Sequence, residues 1–168
     1  MGNISEFSTQ FGQGVRPTLF EVTTSKVSGT LAKFFIKSVQ IPASNIGTIE
    51  VPYKGRKIKK PGDRTFAEWS ITVLASEDLK LRGEFETWMN EISSHTEATQ
   101  SENDAGNWQV AALKADGEAE HGGFYEFHNI FPSEIGAIEM NYESVDAIAE
   151  FTVTLQYDYW TGGPGSIS

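Results

Sequence analysis

Residues 151–159, FTVTLQYDY, decide the fold class of this chain. Apolar residues at 151, 153, 155, 157 and 159 alternate with polar residues at the positions between them. Because successive side chains of a strand point to opposite faces, this run predicts a β-strand with one face on a core and one polar face. The polar face would carry Thr152, Thr154, Gln156 and Asp158.

The stretch just before it, residues 138–143, repeats the alternation. Its polar positions are Glu139, Asn141 and Glu143, and the link at 144–147 is short enough to predict an antiparallel hairpin with 151–159. Five further strands are predicted at Thr18–Thr24, Lys33–Ile41, Glu68–Ala75, Asn107–Ala115 and Phe124–Phe131. The fold class is therefore mainly β.

One segment has a helical period. From Glu77 to Ile92 the apolar residues recur three and four positions apart, so they form one stripe of a helix that should lie across an apolar sheet face. Ser76 is the predicted N-cap. The stripe consists of Leu81, Phe85, Trp88, Met89 and Ile92.

The remaining segments are predicted to be irregular. Residues 42–64 are interrupted by six prolines and glycines, and residues 93–106 are polar. Residues 1–15 and 161–168 are expected to be a flexible arm and tail. At 168 residues the chain is expected to form a single domain over 1–168.

Charge is distributed very unevenly. The chain has 13 basic and 23 acidic residues, yet six of the basic ones fall within the eleven positions 54–64. This polarity favours self-association of a basic segment with an acidic surface of another copy, with a solvated loop or a phosphate contact as alternatives. The overall charge of −10 argues against nucleic-acid binding by the whole chain. The six residues are Lys54, Arg56, Lys57, Lys59, Lys60 and Arg64.

No catalytic, cofactor or metal site is predicted. The chain has no cysteine, and its three histidines lack metal-ligand spacing. No window approaches the roughly 18 apolar residues of a membrane span, so no membrane association is expected. Glu139 and Glu143 could stand as the carboxylate pair of a glycosidase, and surface aromatic residues could stack on a sugar. A carbohydrate-binding module or a hydrolase is therefore a minor alternative. The aromatic residues, including Trp69 and Trp88, are expected in the core or an interface instead.

Several motifs resemble one protein family. They are RPTLFEV at 16–22, IP at 41–42, RKI at 56–58, PGDRTF at 61–66 followed by Trp69, IFPSEIG at 130–136 and DYW at 158–160. In this order they resemble the tail tube protein of contractile-tailed, T-even-like bacteriophages. The likeness extends from about Arg16 to Trp160.

The resemblance implies a structural, non-enzymatic virion protein whose subunit is an antiparallel β-sandwich or barrel with one flanking α-helix. Six copies would form a ring with a continuous inner β-barrel, and the rings would stack into the tail tube that conducts DNA into the host. Expected partners are further copies of the chain, the tail sheath, baseplate and tail terminator proteins, with the tape measure protein and genomic DNA transiently in the lumen. Assembly is expected in the host cytoplasm. A phage-derived contractile injection device is the alternative.

Two surfaces are expected to serve this role. The six basic residues listed above should contact a neighbouring subunit or ring, because their segment is too long and charged to pack inside its own subunit. The lumen should be polar or acidic so that DNA does not adhere. Its candidates are Glu139, Asn141, Glu143, Thr152, Thr154, Gln156 and Asp158.

Overall fold

A computed structural model of the chain describes residues 4–11, 18–94, 99–100, 106–113, 119–141 and 148–162. The helices are α1 (Ile4–Phe11), α2 (Gly29–Phe35) and α3 (Lys80–Ile92). The strands are β1 (Phe20–Thr24), β2 (Ile36–Val39), β3 (Asn45–Tyr53), β4 (Arg56–Thr65), β5 (Trp69–Leu74), β6 (Ser93–Ser94), β7 (Thr99–Gln100), β8 (Gly106–Leu113), β9 (Ala119–Ile135), β10 (Glu150–Gln156) and β11 (Tyr159–Gly162).

Two antiparallel sheets share the long strand β9. The first sheet runs β1-β8-β9-β11 and uses the earlier part of β9, whereas the second runs β9-β10-β5-β2 and uses Phe131–Ile135. Between the two parts, Asn129 has a left-handed backbone with φ 55°. Such a φ is uncommon outside glycine and asparagine tolerates it well, so it suits a change of strand direction.

An aromatic core lies between the sheets. Trp69 of the second sheet stacks on Phe127 of the first, with ring centroids 4.4 Å apart, and meets Trp108 edge-on at 5.9 Å. Helix α3 adds Phe85 and Trp88, whose rings lie 6.0 and 6.3 Å from Trp108. All five rings are buried. Truncating one of them to alanine would cost about 3–5 kcal/mol of stability.

The predicted helix and its apolar stripe are confirmed, but the helix begins later than expected. Leu81, Phe85 and Trp88 are buried. The helix starts at Lys80 and not at Glu77. The reason is a turn in which the hydroxyl of Ser76 donates to Oδ1 of Asp78 at 2.7 Å, which also lowers the pKa of Asp78. The predicted cap therefore stabilises a turn before the helix.

Most predicted strands are present but differ in extent; β9, for example, extends beyond the predicted Phe124–Phe131 at both ends. Residues 33–35 belong to α2 because Leu31, Ala32 and Phe35 pack inward at helical spacing, so the strand begins only at Ile36. The 151–159 run is divided, since the backbone N–H of Asp158 donates to the carbonyl of His128. From there β11 pairs with β9.

The predicted hairpin of 138–143 with 151–159 is wrong. Residues 136–141 form no strand, and β10 pairs instead with β5 on one side and β9 on the other. Both sides of β10 are thus occupied, one by the distant strand β5 and the other by β9, the strand before it in the chain. Residues 142–147, which include Glu143 and the predicted link, lie outside the described residues.

The prediction of an irregular segment at 42–64 is also wrong, because β3 and β4 form a long antiparallel hairpin there. A two-stranded ribbon has free N–H positions along both outer edges, so Pro52 and Pro61 are accommodated without loss of the ladder. Lys54 and Gly55 supply the turn with φ of 45° and 79°. In the 93–106 segment, the described residues include the short β6–β7 pair. Within the predicted N-terminal arm, residues 4–11 are the helix α1.

Candidate assembly surfaces

The six predicted contact residues all lie on the β3–β4 hairpin. Every residue of β3 is exposed, as is every residue of β4 except Gly62, so the ribbon projects from the body. Nζ of Lys57 lies 2.7 Å from Oε2 of Glu50 across the strands. One of the six charges is therefore paired within the hairpin itself, whereas the sequence prediction treated all six as directed to a neighbour.

The hairpin has two chemically different faces. Direct cross-strand partners share a face. On one face, Val51 opposes Ile58 and is flanked by Ile49 and Tyr53, whose cross-strand partners are Lys60 and Arg56, and on the other Glu50 opposes Lys59. Val51 is 42% and Ile58 50% exposed, so this apolar face has no cover within the described part of the chain. Sequence reasoning missed it, although the alternation of Ile49, Val51 and Tyr53 is visible in the sequence.

A tight crossing near the base bends the ribbon. The pairing register shifts between Ile46 and Thr48. A Cβ placed on Gly62 would lie 3.2 Å from the carbonyl oxygen of Gly47 and 3.2 Å from Cγ1 of Ile49. The two backbones approach this closely because both positions are glycine. The bulge so formed sets the direction in which the hairpin leaves the body.

A second surface is the polar face of the second sheet. The burial of β10 alternates as predicted: Phe151, Val153 and Leu155 are buried, and the residues between them face away from the core. In register, Thr152 lies opposite Thr72, and Thr154 lies between Ser70 and Glu134. The amide of Gln156 donates to Glu68 at 3.3 Å. The face is thus mainly hydroxyl and amide, with carboxylates at its sides.

The seven predicted lumen residues do not all lie on this face. Thr152, Thr154 and Gln156 belong to it. Glu139 and Asn141 lie in the non-strand segment after β9, and Asp158 follows β10, where its carboxylate accepts from the amide of Asn129 at 2.7 Å. Glu143 lies outside the described residues. The sheet contributes Ser70, Thr72 and Glu134 instead; the first two could have been found from the alternation in WSITVL at 69–74.

The described residues offer little for catalysis or metal binding. None of their His, Cys, Asp and Glu side chains form a group of three or more suited to a metal ion. His128 stacks on Tyr159 at 4.7 Å and shares a hydrogen bond with the hydroxyl of Thr161. Burial raises the pKa of Tyr157. Trp69 and Trp88 are confirmed as core residues, so they supply no sugar platform.

Among the helices described, none is long and apolar enough to cross a membrane.

The chain is similar in sequence to phage proteins. A family model described as "Phage tail tube protein" matches residues 4–162. The tail tube proteins gp19 of Enterobacteria phages T6 and T4 are each 30% identical over 156 residues, which cover 89% of this chain and 92% of each relative. The tail tube protein of Serratia phage KSP90 is 25% identical over 117 residues, 69% of this chain and 66% of that protein.

Solved structures show the same fold. A chain of the PVC sheath-tube complex, from an extracellular contractile injection system in its extended state, matches with a TM-score of 0.62 and 17% identity, covering 99% of this chain and 100% of that one. A chain of the six-fold symmetrised anti-feeding prophage baseplate matches with a TM-score of 0.67 and 11% identity, covering 92% and 99%.

Proposed function

Because the chain belongs to the phage tail tube protein family, and is therefore a structural protein of a phage tail tube, we propose that six copies close into a ring and that the rings stack into the tube. The single observation that carries this proposal is the pair of open edges of the second sheet. A sheet with two open edges is prone to join further copies, and closure into a barrel removes both edges.

The two edges suit each other in direction. In the described part of the chain, β2 at one edge and residues 131–135 of β9 at the other have no outer partner. The four strands alternate in direction, so β2 of one copy and β9 of the next would meet antiparallel, and the alternation would continue around a ring. Each copy would contribute four strands to the barrel. Six copies follow from the family resemblance, and a fold relative occurs in a six-fold symmetrised baseplate.

Exposed apolar side chains flank both edges. Phe34 is 75% and Ile41 53% exposed beside β2, and Phe131 begins the free part of β9. Large apolar side chains grouped at an exposed strand edge are typical of protein–protein interfaces. They would be covered when the edges of two copies join.

Ring closure would direct the polar face of the second sheet to the lumen, because its apolar face already packs on the core. That wall is made mainly of threonine, serine and glutamine, and its exposed lysine, Lys37, is already paired with the carboxylate of Glu150, so it would hold phosphates weakly and let DNA pass. The role is structural and not catalytic. The 30% identity to phage proteins favours a phage tail over an injection device.

The partners follow from the same proposal. The sheath would surround the tube, baseplate and terminator proteins would bind its ends, and the tape measure protein and DNA would occupy the lumen in turn. Fold relatives occur in a sheath-tube complex, a tube terminator, a tube-terminating cap and a baseplate. Assembly would take place in the host cytoplasm, and the tube would then reside in the virion.

Electron microscopy of the purified chain tests the proposal. The unmodified chain should form rings or tubes, whereas Phe34→Glu and Phe131→Glu should remain folded by circular dichroism but fail to close rings. Asn90→Glu, on the exposed side of α3, is the control and should assemble normally. Monomers alone for the unmodified chain, or normal rings from both edge variants, would contradict closure through these edges.

A further inference from the structure

The second sheet carries one basic side chain. Its four strand segments, β2, β5, β10 and residues 131–135 of β9, contain a single lysine, Lys37, no arginine, and two carboxylates, Glu134 and Glu150. Lys37 is exposed. If the polar face of this sheet lines the lumen, each ring of six copies presents six such lysines to passing DNA. An unpaired lysine at such a place is a binding site for a phosphate.

A β-bulge places Lys37 on the polar face. Ile36 pairs with Val73, and Ser38 pairs with Thr72. Two steps along β2 therefore correspond to one step along β5, and Lys37 is the extra residue. Ile36 is buried, whereas Lys37 and Ser38 are both exposed. Because a bulge re-aims side chains in this way, the ammonium group lies over the polar face and not over the core.

The side chain of Lys37 reaches across β5 to a carboxylate. Its Nζ lies 2.5 Å from Oε2 of Glu150 in β10, although β5 separates β2 from β10 by about 10 Å. Both side chains are about half exposed, at 54% and 45%. An exposed ion pair adds little to the stability of a fold. Removing either charge should therefore leave the subunit folded.

The backbone on both sides of Glu150 is fixed by hydrogen bonds. Towards β5, the N–H of Ala75 donates to the carbonyl of Ala149 at 2.8 Å. Towards β9, the N–H of Gly136 donates to the carbonyl of Thr152 at 2.7 Å. The carboxylate therefore projects from a held part of β10 and not from a loop.

We propose that Glu150 masks Lys37 from DNA, so that free passage of DNA through the tube depends on this one carboxylate of each copy. The proposal rests on the tube function proposed above. With the pair intact, a phosphate must displace the carboxylate before it can bind the ammonium group. Without Glu150, Lys37 would bind the phosphate backbone of DNA of any sequence. Counterion release makes each such contact about eightfold weaker for a tenfold rise in salt.

Retention of DNA by assembled tubes tests the mask. Tubes are mixed with a short fluorescent DNA duplex and sedimented at about 0.05 M and about 0.5 M NaCl. Glu150→Gln tubes should retain several-fold more DNA than unmodified tubes at low salt, and the excess should fall about eightfold per phosphate contact at high salt. The double variant Lys37→Gln with Glu150→Gln should return to the unmodified level. Glu150→Asp keeps the charge and should also retain little DNA.

Glu134→Gln is the matched control. It removes the same charge from the same face but leaves the pair of Lys37 and Glu150 intact, so DNA retention should stay at the unmodified level. Equal gains from Glu134→Gln and Glu150→Gln would show that the total charge of the face decides retention, which would overturn the mask. No gain from Glu150→Gln would overturn it as well.

Lys37→Gln gives a measurement that does not require Glu150→Gln to assemble. A masked lysine holds no DNA, so Lys37→Gln tubes should retain as little DNA as unmodified tubes at both salt concentrations. A fall in retention would show that Lys37 already binds phosphate in the unmodified tube, and the mask would be overturned while the tube function stands. If the unmodified chain forms no tubes, the proposed tube function fails instead.

Discussion

Neutralising lysines on the hairpin tests how much of the contact between copies is electrostatic. In the variant Lys57→Gln, Lys59→Gln and Lys60→Gln, up to three charge contacts per added copy are lost. An exposed ion pair contributes about 0.2–1 kcal/mol. Because Lys57 is already paired with Glu50, we expect a loss of about 0.5–2 kcal/mol, which raises the critical concentration for assembly about 2- to 30-fold. The effect should shrink at high salt, where the Debye length falls from about 10 Å to a few ångströms.

The apolar face of the same hairpin is expected to respond differently. Full burial of a valine or isoleucine side chain contributes about 1.5–3 kcal/mol. Since Val51 and Ile58 are about half exposed, the area still available in each corresponds to about 0.7–1.5 kcal/mol. The variant Val51→Ser with Ile58→Ser should therefore lose about 1.5–3 kcal/mol of assembly free energy, at low and high salt alike.

Sedimentation of tubes over a concentration series measures both effects, at about 0.05 M and about 0.5 M NaCl. Lys80→Gln, an exposed lysine at the start of α3, is the matched control and should leave the critical concentration unchanged. If the triple lysine variant has the critical concentration of the unmodified chain at both salts, the hairpin charges make no contact between copies. Equal losses at both salts would mean that the lysines act through packing and not through charge.

Three further outcomes are expected. Gly136→Ala should destabilise the fold by about 1–3 kcal/mol in urea unfolding, because the added Cβ would lie 2.9 Å from the carbonyl oxygen of Thr152. The control Gly83→Ala, on the open surface of α3, should instead stabilise the fold by about 0.5–1 kcal/mol. Equal effects of the two substitutions would contradict the close packing at Gly136. Deleting residues 2–12 should impair tube formation more than thermal stability, and normal tubes would show that the segment makes no assembly contact. Thr154→Lys should leave tube assembly intact but slow DNA ejection from particles, unlike Asn90→Lys, and normal ejection would place this face outside the lumen.

Local periodicity determined the parts of the fold that the sequence could predict. The stripe of α3 and the alternation in β5 and β10 each arise from one element lying on one core, so their pattern is complete within a short window. The pairing of β10 was not predictable in this way. One of its partners, β5, is distant in sequence, and the other, β9, is joined to it through residues 136–149; residues 138–141 of the apparent alternation form no strand and expose Met140.

The assembly surfaces were predictable to a similar extent. The basic cluster was found because charge is visible without a structure. The hairpin that carries it was missed, because Pro52, Gly55 and Pro61 suggest an irregular segment. In a ribbon with two free edges those residues are compatible with a regular ladder. Two of the seven lumen candidates were misplaced for the opposite reason: Glu139 and Asn141 were assigned through a predicted strand, but residues 136–141 form no strand.

The fold also explains why one small protein tolerates so much uncovered apolar surface. Most of the exposed large apolar residues lie in three places, the hairpin face, the pair Met140 and Ile148 before β10, and the two edges of the second sheet, whereas Ile4, Leu79 and Tyr159 lie elsewhere. Where such a surface has its counterpart on another copy, it is covered in the interior of a tube and stays exposed only at the ends. Growth then occurs at the ends, and a protein that binds an end needs only one of two complementary surfaces to stop it.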